Sequence, residues 1–193
     1  MYLKYFNMLR KPFKSTSDPN LYYLTDCARK AYSCITDAIR QRVPYVVLSG
    51  EAGTGKTTLL NCLMADDSLT ARWIFVNHAS LSWEEILFTI GKILKIQGAH
   101  GNAEEMAEKI AVCLKALMGQ GFFPVLILDE AQRLTSATLL EVFEWRAGLN
   151  IRGVELTVLL SGQTKFTQTL TDSNLSRFTA DATVHCRLKG LTP

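Results

Sequence analysis

The sequence contains no apolar run approaching the length of a membrane span, and residues 1–18 lack the apolar centre of a secretory signal. The chain therefore reads as soluble and cytoplasmic, with no integral membrane segment. Its five cysteines, Cys27, Cys34, Cys62, Cys113 and Cys186, are odd in number and show no C-x-x-C pairing, so neither a disulfide framework nor a zinc site is implied. They read as small buried hydrophobes within helices and one strand. Histidine is scarce, and His78, His100 and His185 are scattered without ligand spacing. An excess of one charge is also missing: a net +3 is too small to argue for nucleic acid by itself. Lys4, Arg10, Lys11 and Lys14 do gather near the start, where a solvated arm explains them equally well. There is no internal repeat and no low-complexity stretch.

What is present fits one domain, since 193 residues with 48% hydrophobic content can bury one sizeable core. Residues 1–24 combine Pro12, Pro19, Ser15, Ser17 and Asp18 with Tyr2, Tyr5, Phe6 and Phe13, the composition of an extended arm pinned by its rings. Beyond it, strands and helices alternate. Thr25 caps a helix to about Gln41, with Ala28, Ala31, Tyr32, Ile35 and Ile39 as its apolar face. Tyr45 to Leu48 reads as a buried strand, residues 57–64 as the opening of a helix, and residues 71–76 as a second strand followed by a turn at 77–80. Ser82 with Glu85, and Asn102 with Glu105, have capping-box spacing ahead of helices that run to Gly98 and Gly119. A further helix is expected over 136–147, capped by Thr135 and closed by Gly148, then a strand over 154–160, a mainly helical stretch over 164–180 and a last strand over 183–188.

The chemistry concentrates in Gly50-Glu51-Ala52-Gly53-Thr54-Gly55-Lys56-Thr57-Thr58, a match to the phosphate-loop pattern G-x-x-x-x-G-K-[ST] placed between a strand and a helix. A triphosphate needs a concave ring of amide donors, a cation and a metal anchor in one place. Gly50, Gly53 and Gly55 allow the tight turn and close approach, and the following helix offers free N–H groups with its positive dipole end. Lys56 reaches for the β- and γ-phosphates, the Thr57 hydroxyl ligates Mg²⁺, and Thr58 serves the helix.

The apolar run from Phe122 to Leu128 ends in Asp129-Glu130-Ala131-Gln132, the way a central parallel strand delivers acids to a ligand crevice. Asp129 is suited to hold Mg²⁺ through water, and Glu130 to polarise the water attacking the γ-phosphate. Pro124 falls at the strand start, where a missing donor is tolerated. The strand over 154–160 places Ser161, Gly162 and Gln163 at the same sheet edge. Gln163 is the first choice for a side chain that reports the γ-phosphate and Ser161 the second, the competing reading being that Gln163 merely starts a helix.

On these residues, together with Met1-Tyr2-Leu3-Lys4-Tyr5-Phe6, Lys11-Pro12-Phe13, Ser17-Asp18-Pro19 and Leu21-Tyr22-Tyr23-Leu24, the whole chain resembles the bacterial AAA+ ATPases of the ExeA (general secretion pathway A) type. It is more loosely similar to transposition ATPases of the TnsC and TniB kind. The resemblance implies an α/β three-layer P-loop NTPase, an AAA+ core over 25–193 with a five-stranded parallel sheet in the order 5-1-4-3-2. It implies ATP as the nucleotide and a homo-oligomer whose sites lie between subunits. A partner protein in secretion or transposition machinery, or DNA, would be the target.

Two departures stand out. ExeA-like sequences carry a Gln-Arg pair whose arginine reaches a neighbour's ATP, but Ala180-Asp181 occupies that place here. An arginine finger is worth roughly 10³ to 10⁵ in rate. Arg177, in Leu175-Ser176-Arg177-Phe178, resembles the Leu-Glu-Arg-Phe of the transposition ATPases and is the candidate substitute. The family also continues past Leu191-Thr192-Pro193 into a helical lid over the adenine. Its absence implies slower hydrolysis, in a truncated member or one whose site a partner covers. The peptidoglycan-binding part of the longer secretion ATPases is missing too, which counts against a direct role in secretin assembly.

Overall fold

The computed structural model describes Tyr5 and residues 25–77, 81–97, 102–171, 175–176, 178 and 183–190. In chain order the elements are α1 (Asp26–Arg40), β1 (Tyr45–Gly50), α2 (Lys56–Met64), β2 (Ala71–Asn77), α3 (Trp83–Ile93), α4 (Ala103–Gly119), β3 (Phe123–Asp129), a 3-10 turn (Ala131–Arg133), α5 (Ser136–Ile151), β4 (Thr157–Gly162), α6 (Phe166–Leu170) and β5 (Thr183–Leu188).

The five strands form one sheet in the order β2-β3-β4-β1-β5, and every pairing is parallel. Successive strand residues point to opposite faces, and a sheet covered on both faces must be apolar at every position. The central strands meet that demand along most of their length, with buried polar residues only near their ends: Ser49, Asp129, Thr157 and Ser161. Tyr45, Val47, Leu126, Leu128, Val158 and Leu160 join one core with α3, α4, α5 and α6. Their neighbours Val46, Leu48, Val125, Ile127 and Leu159 join a second core with α1 and α2. The result is a three-layer α/β fold. The two edge strands are the exceptions: in β2 Arg72 and Asn77 are exposed, and in β5 Cys186 and Leu188 are buried whereas His185 and Arg187 are exposed.

Caps set most helix starts. Thr25, Ser82 and Thr135 each accept a backbone N–H, and Ser82 with Glu85 forms a complete capping box. Asn102 departs from expectation, because its side chain accepts from Glu104 N–H while Glu105 pairs with Lys109 at 2.7 Å. The helix ends correct the reading further. α3 stops at Ile93 rather than near Gly98, with Lys95 in the left-handed region (φ 57°) and Ile96 N–H returned to Gly91 O at 2.9 Å. α5 runs through Gly148 to Ile151, since Leu149 packs in the core, and Gly153 (φ 72°) makes the stop, with Val154 N–H bonded to Leu149 O.

β4 starts at Thr157, after a buried lead-in at Val154 and Leu156, and carries Ser161 and Gly162 as its last residues. Between 164 and 180 the described helix is short, Phe166–Leu170, with Leu175, Ser176 and Phe178 helical beyond it. Of the proposed arm only Tyr5 is described, 83% exposed. The rest of the arm, the turn residues 78–80, Arg177 and Ala180-Asp181 lie outside the described residues. Only Cys186 of the five cysteines is buried, the other four being partly exposed. Its Sγ meets Cys34 Sγ at 2.7 Å, and burial pushes its thiol pKa up.

The two glycines around the end of α5 separate their roles. A Cβ at Gly148 meets nothing, so Gly148→Ala should raise the unfolding free energy by about 0.5–1 kcal/mol through helix propensity. Gly153→Ala should lower it by about 1–2 kcal/mol, because its φ of 72° disfavours any Cβ. Urea titrations of both variants check the pair, and equal effects would remove Gly153 as the stop.

Candidate nucleotide-binding site

The C-terminal ends of β1, β3 and β4 converge on the residues singled out in the sequence. β1 runs out at Gly50, and the loop turns through Gly53 (φ 78°) and Gly55 (φ 88°), both in the left-handed region that glycine alone enters cheaply. Gly50 has a different reason to be glycine: a Cβ there would stand 2.8 Å from both Leu188 O of β5 and Thr54 Oγ1. The loop holds itself together by Thr54 Oγ1 donating to Glu51 O at 2.9 Å.

Gly55 caps α2 without a side chain, whereas α1, α3, α4 and α5 each have a side-chain cap. The first N–H groups of a helix have no intrahelical acceptor, so α2 presents open donors and its positive dipole end at this place. Lys56 is 5% exposed, and its Nζ donates to Gly50 O at 2.9 Å and Glu51 O at 3.0 Å, so the side chain folds onto its own loop.

Thr57 Oγ1 donates to Asp129 Oδ2 at 2.7 Å, joining the start of α2 to the end of β3. Asp129 is 2% exposed, and its other oxygen accepts the N–H of Glu130 at 3.0 Å. A buried carboxylate beside a hydroxyl suits an ion that keeps water and substrate oxygens as most of its ligands, which is the habit of Mg²⁺. Among the described residues no cluster of three His, Cys, Asp or Glu side chains could hold a metal alone.

Glu130 takes the left-handed conformation (φ 55°, ψ 35°), uncommon for a side-chain-bearing residue. The turn swings its carboxylate out of the strand axis, leaving it 34% exposed. Gln132 Nε2 donates to Glu130 Oε2 at 2.7 Å, and Gln132 Oε1 accepts the N–H of Gln163 at 3.1 Å. Gln163 therefore stands beside this network through its backbone, with its side chain exposed. Ser161 Oγ is buried without a hydrogen-bond partner among the described residues. Sequence reasoning passed over Gln132, whose position in the Asp-Glu-Ala-Gln run was its only signal.

The profile of the AAA domain matches residues 40–170, a span that takes in the phosphate loop, Asp129-Glu130 and Gln163. The chain belongs to this AAA domain family. It is 26% identical over 174 residues to general secretion pathway protein A of Aeromonas hydrophila, covering 88% of this chain and 31% of that relative. It thus spans about a third of the length of the relative it matches. Among solved structures it resembles Cdc6p from Pyrobaculum aerophilum (TM-score 0.67, 17% identity, 91% of this chain and 48% of the other). It also resembles Drosophila ORC bound to DNA (TM-score 0.63, 19% identity, 88% and 44%). The Aeropyrum pernix ORC2 protein, in ADPNP and ADP complexes, follows with TM-score 0.60, 17% identity, 84% and 46% coverage. At these identities the likeness establishes the fold, an AAA+ P-loop core.

Gly50→Ala tests the packing of the AAA domain's loop against β5. The added methyl pushes on a backbone carbonyl, so the variant should lose about 1–3 kcal/mol of stability and bind ATP more weakly. Thermal unfolding and nucleotide titration read the two effects, and a variant unchanged in both would show that the contact yields freely.

Proposed function

We propose that this AAA domain binds Mg·ATP at the N-terminus of α2 and hydrolyses it to ADP and phosphate, working in a homo-oligomer as a nucleotide-driven switch or motor on a partner protein. The observation that carries the reading is the 2.7 Å hydrogen bond from Thr57 to Asp129, which brings the loop's hydroxyl and the strand's carboxylate to one point. Mg²⁺ held there by Thr57, and by Asp129 through water, would supply charge neutralisation at the β- and γ-phosphates.

The protein's own residues do the rest. The loop amides from Gly50 to Thr58 and the α2 N–H groups orient the phosphates, and Lys56 exchanges its two carbonyl partners for phosphate oxygens. Glu130 holds the attacking water in line and takes its proton as the γ-phosphoryl bond to the leaving ADP breaks. Gln163, at the end of β4, registers whether the γ-phosphate is present. Arg177 of a neighbouring copy stabilises the charge that develops on the transferred group.

The relative named for the general secretion pathway supports a secretion-type partner, and among the described residues no helix is long and apolar enough to cross a membrane. A second reading has the chain as a DNA-assembling, transposase-recruiting ATPase with little hydrolysis. The fold likeness to an origin-recognition complex solved on DNA favours testing it. DNA that stimulates turnover, with affinity falling steeply with salt, would select this second reading.

Lys56→Ala should abolish ATP binding, whereas Glu130→Gln should bind ATP normally and lose about 10²- to 10⁴-fold in turnover. Equal loss of binding in both, by fluorescent-nucleotide titration, would remove Glu130 from its role. Arg177→Ala should lower turnover by about 10³-fold or more in the assembled protein and leave the monomer's ATP affinity intact. Unchanged turnover in an assembled, active sample would exclude Arg177.

A further inference from the structure

Gln132 has no task in the hydrolysis just described, yet both ends of its side chain are committed. Its Nε2 donates to Glu130 Oε2 at 2.7 Å, and its Oε1 accepts the backbone N–H of Gln163 at 3.1 Å. The amide can be oriented only one way. A backbone N–H can only donate, so the amide oxygen must face Gln163, which leaves the NH₂ for the Glu130 carboxylate. One side chain therefore spans the gap between the end of β3 and the end of β4, from the proposed base to the proposed sensor.

The surroundings are shaped to this link. Gly162 precedes Gln163, and a Cβ there would stand 3.0 Å from Gln132 Oε1 and 2.9 Å from Phe166 Cδ1, so the missing methyl lets the amide oxygen reach its donor. The Glu130 main chain is fixed by its own N–H bond to Asp129 Oδ1 at 3.0 Å, so the direction of its side chain is set separately. Arg133 Nε approaches the same Oε2 only to 3.8 Å, from a side chain 59% exposed, an ion pair too loose to fix it. Gln132 supplies the short hydrogen bond. Asparagine at this position would be one methylene too short to hold both partners at once.

We propose that Gln132 is a positioning residue that couples the Glu130 carboxylate to the end of β4. A shift of Gln163 on meeting or losing the γ-phosphate then redirects the group that aligns the water. The proposal rests on the ATPase reading for its purpose and on the two hydrogen bonds for its mechanism, and the two can be tested apart.

The test uses the full chain with Gln132→Met, which keeps nearly the same volume and removes both hydrogen-bonding ends, and Gln132→Asn beside it. Misalignment of a catalytic group by about 1 Å costs on the order of 100-fold in rate. Gln132→Met should therefore lose about 10- to 100-fold in kcat with KM and ATP affinity unchanged, a split that general loss of folding would not give. Gln132→Asn should not restore it. In parallel, NMR follows the Glu130 side-chain carboxyl and the Gln163 amide as a non-hydrolysable Mg·ATP analogue is added. In the wild type both signals should move; in Gln132→Met the Gln163 amide should still move, while the Glu130 shift should fall to the direct effect of the nearby phosphate, well short of the wild-type change. Wild-type kcat in Gln132→Met, or a Glu130 signal that moves as far in that variant as in the wild type, would overturn the coupling. A wild-type chain that binds the analogue without hydrolysing ATP would overturn the ATPase reading, while the pair of NMR signals still decides the coupling.

Discussion

The hydrogen bond from Thr57 Oγ1 to Asp129 Oδ2, 2.7 Å long, joins two stretches of chain that the sheet holds apart. β1 lies between β4 and β5, and β3 lies between β2 and β4, so β4 always intervenes between the strand that feeds the phosphate loop and the strand that delivers the acids. A bond across that interval requires α2 to start at a set height above the sheet, and three local features fix that height. Gly53 and Gly55 turn the loop through left-handed backbone, Gly50 lets it pass close to Leu188 of β5, and Lys56 ties the loop to its own carbonyls. The crevice that results lies where the chain's connections diverge to the two sides of β1, the position at which open parallel sheets receive ligands.

The cost of the arrangement is local. Glu130 sits in left-handed backbone, and such a residue persists only where its surroundings over-determine it. Here they do, because the Asp129 carboxylate accepts the Glu130 N–H, Gln132 holds the side chain, and Ala131 is fully buried beneath both. The cores on either face supply the rigidity: strand residues of alternate parity pack into two separate apolar layers, so the strand ends cannot slide without disturbing both.

Much of this could be read from residue order. Alternation of strand and helix, the Thr25, Ser82 and Thr135 caps, and the Gly50–Thr58 run all depend on neighbours in sequence, and these came out where expected. The failures have the opposite character. Gly148 looked like a helix stop because glycine there is unfavourable, but Leu149 gains more by packing in the core than the helix loses, and Gly153 is the glycine whose backbone needs the freedom. Glu105 had capping-box spacing and yet pairs with Lys109, a choice between two near-equal local partners. The place of Gln132 in the Asp-Glu-Ala-Gln run could not state its partners, since they depend on β4 arriving beside β3 from 31 residues further along the chain. The sheet order itself came from family resemblance, for no local pattern states which strand lies next to which.

If Mg²⁺ binds as proposed, Thr57 and Asp129 form a single Mg²⁺-dependent anchor for ATP. Calorimetric titration of ATP into the wild-type chain, Thr57→Val, Asp129→Asn and the double variant, each with Mg²⁺ and with a chelator, tests it most directly. The wild type should bind ATP tightly and lose at least about tenfold in affinity, or about 1.4 kcal/mol, on chelation. Each single variant should already sit at the chelated level, and the double variant should be little worse than either, because the two side chains act as one unit. A folded wild type that binds ATP no better with Mg²⁺ than without it, or single variants whose losses simply add, would contradict it.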